Sequence, residues 1–258
     1  MSHLLPPLGF VILRHVTSKI TDLYWKESYH AIRRWYPTEP ILIVDDSSKK
    51  EWLREDIVLT NCTVIYDTEH GGCAELLPYY YAHRLRPAQR VVVLHDSVFV
   101  HRPLAIGSWQ EDTGIQFLWS IPHCHDGPIQ REIHELIDAL PEGDREHVRS
   151  MYTHTKADWT GAFGVMSVVD VGWLDKVEKR FGGLFERWFP VLKNREYRCA
   201  LERVFGLIAY YHGRREVLPP LFGLIMESIP WGTTFSQYLL DYETYRETHP
   251  MMKVWSGR

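Results

Sequence analysis

Apolar residues fall into two rhythms along this chain. In the first half, short continuous runs alternate with stretches of helical period. Phe10 to His15, Ile41 to Val44, Thr63 to Tyr66 and Val91 to Leu94 read as strands buried on both faces. Between them, Asp22 to Trp35 carries Tyr24, Ala31, Ile32 and Trp35 at helical spacing before Tyr36-Pro37 stops it. A short helix is expected over Lys49 to Arg54, and Gly71-Gly72 precedes another from about Glu75 to Arg84. This β-α-β-α order predicts a mainly parallel sheet covered by helices.

The second half is less regular. Gly114 to Ser120 and Phe163 to Val168 read as strands, and Pro128 opens a helix with Ile129, Ile133, Ile137 and Leu140 on one face. Asp170 caps a helix that runs to Phe181 and stops at Gly182-Gly183. A further helix spans roughly Glu196 to Tyr211, with Leu201, Val204, Phe205 and Ile208 as its apolar stripe. No internal repeat or long linker interrupts the chain. The expectation is one domain: a first half over 1–105, a helix-rich half over 106–245 and a tail over 246–258 that must dock to matter.

Two of the strand runs end in carboxylates, Asp45-Asp46 before Ser47-Ser48, and Asp96 between His95 and Ser97. Open α/β sheets bind ligands at the carboxyl ends of their strands. Both clusters therefore belong at the rim of a cleft.

Composition narrows the partners. At 258 residues, 45% of them hydrophobic, the chain can bury a full core. A net charge of -4 lacks the basic field of a nucleic-acid binder. The four cysteines, Cys62, Cys73, Cys124 and Cys199, form no C-x-x-C pair and read as free thiols. No apolar run approaches the roughly 18 residues of a membrane helix, and Phe10 to Leu13 is too short for a signal core. A soluble protein with no membrane span is expected, in the cytoplasm, or the host's cytoplasm for a viral chain.

In their order and spacing, Phe10 to His15, Val44 to Ser48, Val93 to Val98, Gly161 to Ser167 and Leu201 to Gly206 resemble a GT-A-type nucleotide-sugar glycosyltransferase. The likeness is greatest to a subgroup met in giant and algal viruses and in algae. It implies a GT-A-like (Rossmann-like) mainly parallel sheet flanked by helices, with an α-rich acceptor lobe. It also implies hexosyl or pentosyl transfer from a UDP- or GDP-sugar to a glycan or other hydroxyl acceptor. His95-Asp96-Ser97 stands where such enzymes carry Asp-x-Asp, so Asp96 is expected to hold Mn2+ or Mg2+ on the diphosphate, with His95 or Ser97 as a substitute ligand. His249 in the tail would complete the metal shell, and Lys253 or Arg258 would pair with phosphate oxygens.

The other site residues each carry an alternative. Asp45 and Asp46 can accept from a nucleobase N–H or a ribose hydroxyl, or they can close an Asx turn. Arg14 can meet the base or form an ion pair, and Asp96 can cap a turn. Gly71-Gly72 can let a phosphate approach the backbone or simply turn. Asp158, Trp159 and Gly161 resemble an acceptor-side loop, although Trp159 can equally anchor a core. Glu202 occupies the position of an acceptor-facing general base, its rival being an ion pair with Arg198 or Arg203. His123-Cys124-His125-Asp126 invites zinc, but ligands so close in sequence do not easily converge on one tetrahedral ion. The rival function is a nucleotide-sugar- or glycan-binding protein whose metal motif has decayed.

Overall fold

A computed structural model describes residues 5–106, 113–123 and 126–255. The elements in chain order are β1 (Leu8–Arg14), α1 (Lys19–Trp35), β2 (Ile41–Asp46), β3 (Cys62–Asp67), α2 (Leu77–Leu85), β4 (Arg90–His95), β5 (Val98–Val100), β6 (Ile115–Phe117), β7 (Ser120–Ile121), α3 (Gln130–Asp138) and α4 (Glu142–His154). They continue with β8 (Gly161–Ala162), β9 (Ser167–Asp170), α5 (Val171–Phe181), α6 (Leu184–Trp188), α7 (Arg195–Gly213), β10 (Val217–Leu218), α8 (Ile225–Ser228), α9 (Phe235–Leu240), α10 (Tyr242–Thr248) and β11 (Met251–Lys253).

The main sheet has seven strands in the order β10-β6-β9-β4-β1-β2-β3. Strands β1 to β4 run parallel, and β9 is antiparallel to both β4 and β6. Alternation along β1 separates two cores: Phe10 and Ile12 pack on the α1 side with Trp25 and Ile32, and Val11 packs on the other with Leu77, Tyr79 and the stripe of α7. The helix after β1 thus covers one face and the helix after β3 the other. That places a topological switch point between β1 and β4, where a crevice opens at their carboxyl ends.

Local chemistry sets several boundaries. The capping box of Ser18 and Thr21 starts α1 a turn before the apolar period begins. Helix α5 begins at Asp170, whose side chain accepts from Trp173 N (3.2 Å), and ends at Gly182 and Gly183, both at positive φ.

Three expectations need correction. Lys49 to Arg54 makes a single turn rather than a helix, because the Arg54 N–H is taken by Asp22 Oδ1 (3.0 Å) and cannot continue the ladder. The run from Phe163 to Val168 is not one strand. Gly164 (φ 59°) and Val165 (φ 49°) reverse the chain there, and β9 starts only at Ser167. The Gly114 to Ser120 strand is split into β6 and β7. The tail's β11 docks antiparallel on β5, with Lys253 opposite Val98 and Met251 opposite Val100. Among the described residues, no helix is long and apolar enough to cross a membrane.

Candidate active site

A cleft of about 440 Å3 opens at the switch point. Leu13 and His15 from the end of β1, and His95, Asp96 and Ser97 from the end of β4, form its floor. Glu75 enters from the turn before α2, and Phe163 and Gly164 from the reversal before β9. The opposite wall is the first part of α7, which contributes Arg195, Arg198, Cys199, Glu202 and Arg203 at helical spacing. Trp231, Lys253 and Trp255 close the third side.

On the floor, Asp96 N donates to the Leu13 carbonyl (2.9 Å) and Asp96 Oδ2 accepts from His15 N (3.0 Å). These bonds tie the ends of β1 and β4 together. Ser97 Oγ accepts from Lys253 Nζ at 2.5 Å, while Val254 N donates to the Ser97 carbonyl (3.0 Å). The tail therefore brings a largely buried ammonium, 8% exposed, against the His95-Asp96-Ser97 triplet.

On the α7 wall, Glu202 Oε1 accepts from Gly164 N (2.7 Å) and Oε2 from Arg203 Nη1 (2.6 Å). Arg203 Nε in turn donates to Asp126 Oδ1 (3.1 Å). Burial pushes the Glu202 carboxyl up to about 7, against the opposing pull of Arg203 and of the Gly164 N–H. Burial also raises Glu75, which Arg198 offsets from 3.9 Å. The reversal at Gly164 and Val165 is what presents the Gly164 N–H. A Cβ at Gly164 would lie 2.9 Å from His95 Cε1, so glycine lets this turn pack against the triplet. A β-branched Val165 at positive φ is rare, and its carbonyl is held by the Tyr79 hydroxyl.

Several expected residues are not brought to the cleft. Asp45 spends Oδ2 on Arg14 Nε (2.6 Å) and Oδ1 on Ser48 N (3.0 Å). Arg14 is fully buried, with its guanidinium 5.1 Å from the Trp25 ring and 5.2 Å from that of Tyr66. Asp46 accepts from Gly72 N (2.6 Å) and Ala74 N (3.2 Å), holding the Gly71-Gly72 loop that carries Glu75 inward. None of the three lines the cleft, and both carboxylates are held by protein donors. Asp158 is 55% exposed beside Arg214 (3.9 Å), away from the cleft. Trp159 is buried against His123, with ring centroids 4.2 Å apart, so it is a packing residue. A Cβ at Gly161 would meet Ile121 Cγ2 at 2.7 Å, and this glycine serves close packing of β8.

Of the His123 to Asp126 segment, His123 Nδ1 lies 3.4 Å from Asp126 Oδ2, while Asp126 also pairs with Arg203 and the His123 ring lies by the Trp159 carbonyl (3.1 Å). Cys124 and His125 lie outside the described residues, as does Arg258.

The metal expected on the triplet does not fit these donors. His101 N donates to the Pro250 carbonyl, which places His249 beside His101 at the far end of β5. Four extended residues separate Ser97 from His101, about 13 Å, so Asp96 and His249 cannot share an ion whose ligands lie about 2.0–2.6 Å away. An ion on Ser97 Oγ would also sit within about 4.6 Å of Lys253 Nζ. At an effective dielectric of 20 that repulsion is ~7 kcal/mol, with Asp96 the one carboxylate of the triplet to oppose it. Among the described residues, no group of three or more His, Cys, Asp or Glu converges as a metal shell does.

Sequence reasoning missed Glu75, Arg195, Arg198 and Trp231. The spacing of Arg198 and Glu202, four residues apart on one predicted helix, was a usable signal. Nothing local marked Trp231, whose ring comes to 3.7 Å from that of Trp255 through tail docking.

No protein-family model and no curated protein matches the chain. Solved structures do. The bifunctional glycosyltransferase WbbM, in its apo form, superposes with a TM-score of 0.51 at 11% identity, over 98% of this chain and 46% of that one. The fold is GT-A-like. The chain spans about half the length of WbbM, and at this identity the likeness speaks for the fold alone. The galactosyltransferase LgtC, in complex with donor and acceptor sugar analogues, superposes with a TM-score of 0.42 at 8% identity, over 95% of this chain and 86% of that one. That overlay is too loose to transfer residue roles.

Proposed function

We propose that the chain transfers a glycosyl group from a nucleotide-diphosphate sugar to a hydroxyl acceptor in this cleft. The fold is that of glycosyltransferases, and the observation that carries the reading is Glu202. It is a carboxylate on the cleft wall, set by a backbone N–H and a guanidinium, with its proton affinity raised to about 7. A group of that affinity is matched to taking a proton from a hydroxyl near neutral pH. The acceptor oxygen attacks the anomeric carbon, the bond from that carbon to the diphosphate breaks, and the electron pair leaves on the phosphate oxygen. The hydroxyl proton goes to Glu202. A base that serves a single displacement fits inversion at the anomeric carbon.

In this reading the 1–105 half meets the donor, the 106–245 half meets the acceptor, and the 246–258 tail closes the cleft. Phe163, Trp231 and Trp255 offer apolar faces on which a sugar ring can lie, Phe163 and Trp255 with centroids 6.3 Å apart. The test is a thermal-shift panel of UDP- and GDP-sugars, followed by measurement of nucleotide release with glycan acceptors. A donor at 100 times its dissociation constant should stabilise the fold by about 2.7 kcal/mol, or several degrees, and be consumed. No shift with any donor would overturn the reading. Binding without turnover would leave a nucleotide-sugar-binding protein.

A further inference from the structure

We propose that Lys253, assisted by Arg195 and Arg198, takes up the negative charge of the leaving diphosphate, and that no divalent ion is used. The inference rests on the glycosyl-transfer reading. As the bond between the anomeric carbon and the phosphate oxygen breaks, the nucleoside diphosphate gains one negative charge. Something at the end of β4 has to compensate it.

The Asp-x-Asp position holds His95-Asp96-Ser97, and its last hydroxyl already accepts from the Lys253 ammonium at 2.5 Å. The lysine is positioned by the backbone. Its strand pairs with β5 so that Lys253 faces Val98, and the next residue, Val254, donates to the Ser97 carbonyl. Its stem is buried, so the charge is held at one place at little further entropic cost. An ammonium has three N–H donors, and a phosphate oxygen is a strong acceptor for such a group. Across the cleft, Arg195 and Arg198 stand in the first turn of α7, a 19-residue helix capped by Asn194, whose amino-terminal end carries partial positive charge toward the same space. Cations from two walls thus face the floor, Arg198 beside Glu75 (3.9 Å) and Lys253 against Ser97. The triplet itself brings one carboxylate, and Glu75 and Glu202 line the same cleft.

The test is isothermal titration of UDP, GDP and inorganic pyrophosphate into the intact protein, once in EDTA and once with Mn2+. At least one probe should bind in EDTA, with an affinity that Mn2+ changes by less than about threefold. Lys253→Met should weaken that binding by about tenfold or more, the loss of one charge-assisted hydrogen bond, and Lys253→Arg should recover most of it. Asp96→Asn should not weaken it, since it removes a negative charge from the floor. Binding that requires Mn2+ and is lost in Asp96→Asn would overturn the inference and leave glycosyl transfer standing. Unchanged affinity in a folded Lys253→Met variant would overturn it as well. Failure of every probe in both conditions would overturn both readings. The EDTA comparison uses the unaltered chain, so it decides the matter even if Lys253→Met does not fold.

Discussion

The sheet rim and the α7 wall carry the same residue types to opposite effect. At the rim, Arg14, Asp45 and Asp46 are buried, and the carboxylate oxygens are taken by the scaffold: Asp45 by Arg14 and Ser48, Asp46 by the Gly72 and Ala74 amides. On α7, Glu202 and Arg203 also form a pair, yet Glu202 lines the cleft and keeps a raised proton affinity. The difference lies in where each carboxylate stands. Asp45 bonds within its own turn and Asp46 takes amides of the Gly72–Ala74 segment, and neither lines the cleft, whereas Glu202, with one oxygen on Gly164 N and the other on Arg203, stands on the cleft wall. Satisfied oxygens alone therefore do not separate scaffold from site; the surface that the carboxylate lines does.

The largest effect expected from this contrast is on turnover. Glu202→Gln keeps an acceptor for Gly164 N but cannot take a proton, and kcat should fall on the order of 10²–10⁴ with donor affinity nearly unchanged. Steady-state kinetics and donor titration separate the two. Near-normal turnover would reduce the α7 wall to scaffold like the rim.

The rim should respond in stability instead. Arg14→Met leaves Asp45 buried without its guanidinium, at a cost of about 3–5 kcal/mol, read from the urea midpoint. A loss below about 1 kcal/mol together with weakened nucleotide binding would restore Arg14 to the site.

The pH profile sharpens the same contrast. The Glu202 carboxyl is raised to about 7, so its basic form is lost as pH falls through that value. The acid limb of kcat/KM should fall about tenfold per pH unit below 7 and disappear in Glu202→Gln. In stability the sign reverses. A raised pKa means that the folded state favours the neutral acid, so this contribution is full below the ordinary value of 4.5 and is lost as pH rises through about 7. A limb near 4 would assign the base to an ordinary carboxylate.

The smallest effect belongs to Asp158, exposed and distant from the cleft. Asp158→Asn should change stability by less than about 0.5 kcal/mol and leave kcat and KM within error. A large loss of acceptor affinity would mean that the loop before β8 reaches the acceptor after all.

Much of the fold was legible in the sequence, for a local reason. Apolar runs of strand length, helical periods such as Leu201, Val204, Phe205 and Ile208, and caps such as Asp170 report on neighbours a few residues away, and those neighbours are fixed by the chain itself. The positions of Asp96 at the end of β4 and of Glu202 on α7 followed from the same periodicity. Other features depended on partners far along the chain. The reversal at Gly164 and Val165 is held by Tyr79 and Glu202, and the Lys49 turn is cut short by Asp22. Only the tertiary structure decided which carboxylates face the cleft, because that depends on how segments far apart in the chain pack around each strand end and helix face. The β11–β5 register likewise set Lys253, and not His249, beside the triplet: two residues in one short tail, separated in role by the pitch of an extended strand.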